Sequence, residues 1–197
     1  MKLSHDPKII VALDILNYKE LKTCLKQLDP TLCRIKIGSA VFVCHGIKLI
    51  EEVANQGFEI FLDLKFHDIP HQVALTCQVA AELGVWMLSL HALGGQTMLE
   101  AAFAALTKYH SPNQSIPNLV AVTILTSFGE KDCQQIGLYQ PIISHVEELV
   151  NLAYKAGFHG VVASAHEAKL IKSKTSKNFL IVSPGIRLDL ENKKESD

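Results

Sequence analysis

The sequence predicts a TIM (β/α)8 barrel from which strand eight and its flanking helices are missing. Seven short apolar, β-branched-rich runs alternate with segments of helical spacing. The runs are apolar on both faces, as parallel strands covered by helices must be. Polar residues recur within or at the C-terminal ends of successive runs: Asp14, Lys36, Asp63 with Lys65, His91, Thr126, and the group Pro184, Gly185 and Arg187. Barrel sites are assembled at that rim, from several strands at once. A doubly wound open sheet is the competing architecture at this length. It would gather its site at one switch point, and no GxGxxG or P-loop marks one.

The elements follow in order. Strands are expected at "KIIVALD" (8–14), "RIKIGS" (34–39), "EIFLDLK" (59–65), "WMLSLHA" (86–92), "LVAVTILTS" (119–127), "GVVASA" (160–165) and "FLIVSPGI" (179–186). Between the first two, "YKELKTCLKQL" sets Leu21, Leu25 and Leu28 on one helical stripe. "IKLIEEVANQG" aligns Ile47, Ile50 and Val53 or Ala54, and Gly57 supplies a stop. "VALTCQVAAELG" and "MLEAAFAALTKY" read as alanine-rich helices that pack on a sheet, and "VEELVNLAYKAG" again ends in glycine. "HSPNQSIPN" (110–118) and "FGEKDCQQIGLYQP" (128–141) read as connections. No Pro/Ser-rich linker divides residues 1–197, so one barrel domain is expected. After strand seven, "RLDLENKKESD" reads as polar loop, which leaves the barrel incomplete at its C-terminal end; truncation is the expectation.

Composition narrows the function. A formal net charge of -1 offers no general field for nucleic acid or an anionic membrane, so an anionic substrate must be held locally. Five widely spaced cysteines, without a CxxC pair or a Cys/His cluster, indicate neither a zinc site nor a disulfide framework. They read as small buried hydrophobes in a reducing compartment. The N-terminus lacks the apolar core of a signal peptide, and no run approaches the roughly 18 apolar residues of a membrane span. A soluble cytoplasmic protein is expected.

The chemistry centres on "DLKFHDIP" (63–70). Strand alternation puts Asp63 and Lys65 on one face, and Lys36 on the neighbouring strand shares that parity with Arg34 and Gly38. With Asp68 the row reads ammonium, carboxylate, ammonium, carboxylate. Burying such a row is costly unless every charge is paired, and structural networks of this kind exist. Its place on a barrel rim, with a phosphate-type loop downstream, favours function. In "SPGIR" an arginine suited to a bidentate phosphate grip follows strand seven, where barrels hold phosphate. His91 is expected to hydrogen-bond inside the barrel. Thr126 and Ser127 offer hydroxyls at the end of strand five, either as caps or to a polar heterocycle.

Together "VALD", "IKIG", "FLDLKFHDIP", "GVWM", "HALGG", "VTILTS", "GVVASAHEA" and "SPGIR" resemble, in order and along essentially the whole chain, the orotidine 5'-phosphate decarboxylase family. The resemblance implies cofactor-free, metal-free loss of CO2 from orotidine 5'-monophosphate to give UMP. It implies Lys65 as the general acid at C6 and Asp63 against the substrate carboxylate. Lys36 would pair with Asp63 and the ribose, and Asp14 would bind ribose hydroxyls. Ile69 and Thr126 would contact the nucleotide, and Arg187 would lie by the phosphate. It further implies a homodimer in which Asp68 reaches the partner's site. The family usually has a small hydroxyl residue two places after the "DIP" proline; Gln72 stands here, so that contact is not carried over. The family's strand-eight phosphate grip has no counterpart before Asp197, and a protein ending there is expected to lose most of its activity. A metal-dependent sugar-phosphate decarboxylase or aldolase of the same barrel group shares DxKxxD, but resembles this chain less because it carries glutamate in place of Lys36. An inactive truncated barrel is the third expectation.

Overall fold

Seven parallel strands pair in strict chain order in the computed structural model, which describes residues 6–108 and 116–186. They are β1 (Ile9–Ala12), β2 (Cys33–Gly38), β3 (Ile60–Phe66), β4 (Met87–His91), β5 (Asn118–Val122), β6 (Gly160–Val162) and β7 (Leu180–Val182). Each connection moves one strand further in the same direction, so the strand order has no reversal and no switch point. That excludes the doubly wound alternative, whose order must reverse. The sheet curls as in a barrel. Among the described residues there is no eighth strand, so β1 pairs only with β2, and β7 only with β6.

Helices α1 (Tyr18–Leu25), α2 (Ser39–Ala54), α3 (Pro70–Glu82), α4 (Gly95–Lys108), α5 (Glu130–Gln135), α6 (Ile142–Lys155) and α7 (Ala168–Lys174) fill the crossovers. Asn17 caps α1 by accepting the Lys19 and Glu20 amides, which satisfies donors the helix itself leaves open. Proline opens α3, where its missing N–H costs nothing. The α1 stripe is as expected, with Leu21 and Leu25 buried and Leu28 packed beside them. The α2 stripe is as expected at Ile50 and Val53 but not at Ile47. Leu49, Ile50 and Val53 are buried, while Ile47, directly after the non-helical Gly46 (φ +65°), and Ala54 at the helix end are exposed.

Strand alternation builds two apolar layers. Leu62, Leu88, Leu90, Leu119, Ala121 and Val161 face the helices. Phe61, Met87 and Val120 face into the curl, flanked by Ile10, Val162 and Val182, and form a floor. Burial on both faces is why these strands read as continuous apolar runs. On β2, Arg34 is buried near the strand's N-terminal end. Its guanidinium lies 3.8 Å from the centroid of the Trp86 ring, its Nε donates to Glu59 at 2.7 Å, and it also donates to the Pro7 carbonyl. A buried cation is tolerable only with partners of this kind.

Of the cysteines, Cys33, Cys77 and Cys133 are buried, but Cys44 is exposed, contrary to the uniform burial expected. Burial pushes the Cys77 thiol up to about 12, so it stays protonated and inert. No helix among the described residues is long and apolar enough to cross a membrane.

Candidate active site

β2 and β3 pair with Ile37 opposite Leu62 and Gly38 opposite Asp63, which sets Lys36 one step below the carboxylate on the same inner face. Lys36 Nζ lies 3.6 Å from Asp63 Oδ2 and 3.7 Å from Asp14 Oδ1. Lys65 Nζ donates to Asp63 Oδ2 at 2.9 Å. Asp63 is therefore the hub, its Oδ2 facing two ammonium groups. Side-chain exposure rises from 10% at Asp63 through 23% at Lys36 and 38% at Lys65 to 66% at Asp14. The cluster thus runs from the apolar floor up to an open mouth. Gly38 leaves room at its edge: a Cβ there would stand 3.5 Å from Asp14 Oδ1 and 3.6 Å from Lys36 Nζ.

Lys65 reaches Asp63 by a route that alternation does not describe. Its backbone is left-handed, with φ +52°. For a non-glycine residue that conformation costs on the order of 1–3 kcal/mol, and such costs collect at functional sites. The register of β3 with β4 shifts across the same point. Leu62 pairs with Leu88 and Phe66 with Leu90, so residues 63–65 stand opposite Ser89 alone. Bulges of this kind re-aim side chains. Ser89 is fully buried; its hydroxyl donates to Asp63 Oδ1 at 2.7 Å and accepts the Lys65 amide at 2.9 Å. Sequence reasoning missed Ser89. The available signal was parity, since Met87, Ser89 and His91 alternate on the inner face of β4 and only one of them is small and polar.

Other expected residues lie elsewhere. Asp68 does not complete the row of four charges. It is exposed on the turn before α3, and its Oδ1 accepts the next residue's amide, that of Ile69, at 2.6 Å. Within the described residues it makes no ion pair, because the chain has already left the strand for the helix start. Ile69 is exposed beside it. β5 ends at Val122 rather than running to Ser127. Thr126 and Ser127 instead occupy the middle of a turn closed by the Phe128 amide on the Leu125 carbonyl, at 2.9 Å, and both are exposed. The loop after β7 turns at Gly185 (φ +71°). Arg187 lies outside the described residues.

His91 also departs from expectation. It is partly buried, its ring stands 5.6 Å from that of His67, and its Nδ1 is enclosed without a hydrogen-bond partner. Burial, then the neighbouring His67 and Lys65, hold its imidazole below the ordinary histidine range, with Asp63 opposing. It is therefore neutral at pH 7. Among the described residues no group of three or more His, Cys, Asp or Glu side chains is placed to hold a metal ion. A hollow lined by Asn118, Tyr154, His159 and Leu180 lies at the opposite ends of the strands, away from the charges.

A lysine–aspartate–lysine cluster on a dry floor can do one thing well: hold positive charge, without reorganisation, where negative charge develops, and supply a proton there. Comparison with known proteins agrees in kind. The Orotidine 5'-phosphate decarboxylase / HUMPS family matches residues 7–197. Orotidine 5'-phosphate decarboxylase of Legionella pneumophila (strain Corby) is 47% identical over 182 residues, covering 92% of this chain and 78% of that protein. The enzyme of the same name from Tolumonas auensis is 45% identical over 188 residues, covering 95% and 80%. Among solved structures, orotidine 5'-phosphate decarboxylase from Lactobacillus acidophilus superposes with a TM-score of 0.86 at 36% identity, covering 92% of this chain and 82% of that one.

Proposed function

This chain belongs to the Orotidine 5'-phosphate decarboxylase / HUMPS family, and from that membership and the charge cluster we propose that it converts orotidine 5'-monophosphate to UMP and CO2, the last step of de novo pyrimidine nucleotide synthesis. The observation that carries this reading is Lys36, 3.6 Å from the Asp63 carboxylate that also holds Lys65. A second cation at that position suits an electrostatic decarboxylation; a metal-stabilised enediolate would call for a carboxylate ligand there instead.

In the proposed reaction the bond between C6 and the carboxylate carbon breaks, and its electron pair stays on C6 in the ring plane. No π system delocalises that pair. Lys65 is cationic beforehand, so it stabilises the developing charge and then gives C6 its proton as CO2 leaves. The neutral amine afterwards regains a proton from solvent. Asp63 keeps Lys65 oriented and stands against the substrate carboxylate, while Lys36 and Asp14 hold the ribose. Thr126 and Arg187 are proposed for the pyrimidine and the phosphate. We further propose a cytoplasmic homodimer in which Asp68 and Ile69, exposed at the start of α3, complete the partner's site.

The test is a direct assay of orotidine 5'-monophosphate consumption and UMP formation, run with and without EDTA. UMP should form at the same rate in both. No UMP, or activity lost to EDTA and restored by Mg2+, overturns the reading.

A further inference from the structure

We propose that Ser89 is a positioning residue for the decarboxylation described above, holding Asp63 and the left-handed Lys65 backbone in the arrangement that turns one carboxylate oxygen towards both lysines. This inference rests on that reaction for its kinetic consequence, though not for its geometry.

Where residues 63–65 stand opposite Ser89 alone, the β3–β4 ladder is interrupted and the Lys65 amide needs another acceptor. The Ser89 hydroxyl supplies it at 2.9 Å. A hydroxyl has one proton, and here that proton goes to Asp63 Oδ1 at 2.7 Å. Both roles of the hydroxyl are thereby assigned, and its rotor is fixed. With Oδ1 engaged, the carboxylate plane is fixed too, and Oδ2 faces Lys65 Nζ at 2.9 Å and Lys36 Nζ at 3.6 Å. Ser89 is fully buried, so no bulk water competes for either bond. A single small side chain therefore sets the backbone of the proton donor and the rotation of its counter-ion together.

Removing the hydroxyl has two consequences. Asp63 becomes free to rotate and to share both oxygens between the two ammonium groups, drawing Lys65 away from the substrate. The Lys65 amide loses its acceptor, and with it the restraint that holds φ positive.

The experiment is Ser89→Ala in the full chain, read by steady-state kinetics and by residue-resolved amide hydrogen exchange. The substitution only deletes an oxygen, so the fold is expected to survive and circular dichroism will check it. We expect kcat to fall roughly 10- to 100-fold, as for other small misplacements of reacting groups, with KM within about twofold of wild type. The Lys65 amide should exchange at least about tenfold faster while the amides of Leu88 and Val120 keep their protection. The inference is overturned by a kcat within about twofold of wild type, by an effect confined to KM, by an unchanged Lys65 amide, or by faster exchange throughout the sheet. If wild-type protein forms no UMP, the proposed function fails by itself. The Lys65 amide then decides the Ser89 inference alone.

Discussion

Lys65 is the residue to which the proposed reaction assigns both the cation and the proton, and its substitution is the most direct test at this scale. Lys65→Ala removes both the cation and the proton, so turnover should fall by at least about 10⁴-fold if general-acid and electrostatic contributions are lost together. The substitution also leaves Asp63 with Lys36 as its remaining cation, so the fold should persist. Product formation by the folded variant at more than a tenth of the wild-type rate would remove Lys65 from the mechanism. His159 carries a separate prediction. Its Nδ1 accepts the Leu119 amide at 3.0 Å, and burial holds its imidazole below the ordinary value of about 6.5. The unfolded chain binds this proton at a higher pH than the folded one. The stabilisation is therefore complete above pH of about 6.5 and is lost as pH falls through the lower folded value. His91 has the same sign. Melting temperatures measured between pH 8 and pH 5 should drop more steeply for wild type than for His159→Gln, and equal slopes would show that His159 does not titrate. Lys36 and Asp63 were legible together in the sequence because period two and neighbouring strands suffice to align them. For Ser89, parity marked only the face; its contacts arise through a register shift that no single strand encodes.

Elements were legible where both faces or one clear stripe are buried. β2, β3 and β4 fall within a residue of their expected bounds, and the α1 stripe is as read. β5 was overextended because "VTILTS" remains β-branched after the ladder has stopped: Thr123 makes the last bonds to Val162, and the chain then turns. Propensity persisted past the point where a partner strand was available. The glycine stops were sounder, and α6 shows why. After its last turn the Phe158 amide bonds the Ala153 carbonyl at 3.0 Å and the Gly157 amide bonds that of Tyr154 at 3.2 Å, with Gly157 at φ +86°. This is the Schellman pattern. A Cβ at Gly157 would also stand 2.9 Å from ring carbons of Phe103 on α4. Gly157→Ala should therefore destabilise by roughly 2–5 kcal/mol, from a left-handed backbone penalty together with overpacking. Urea unfolding will read this as a lower midpoint with an unchanged slope. A midpoint equal to wild type would mean that the α4–α6 corner yields freely.

At the scale of the molecule, the parallel sheet and its rim were legible because seven alternations and the polar strand ends point to one architecture. Assembly is a matter of proposal, because the exposed residues at the start of α3 look like any exposed loop within one chain. Asp68 is the case that decides it. Among the described residues its carboxylate accepts only the adjoining Ile69 amide and lies outside the Lys36–Asp63–Lys65 cluster, with Ile69 exposed beside it. Under the homodimer proposed above, this carboxylate and the apolar side chain beside it would dock into a second copy's site, where Lys65 would supply a cation for Asp68. Sites shared in the proposed way would dictate a complementation result. Chains with Lys65→Ala and chains with Asp68→Ala should each be nearly inactive alone. Mixed and equilibrated at equal amounts, half of the dimers carry one of each chain. In every such dimer one site combines two altered residues, while the other is built from an intact Lys65 and the partner's intact Asp68. With one working site of two in half of the dimers, about a quarter of the wild-type activity per chain should return. Recovery should appear only under conditions that allow subunit exchange, measured by mixing before and after brief dilution. An equilibrated mixture that stays inactive, with exchange confirmed by mass, would place Asp68 outside the partner's site and confine the chemistry to the three-charge cluster of each chain.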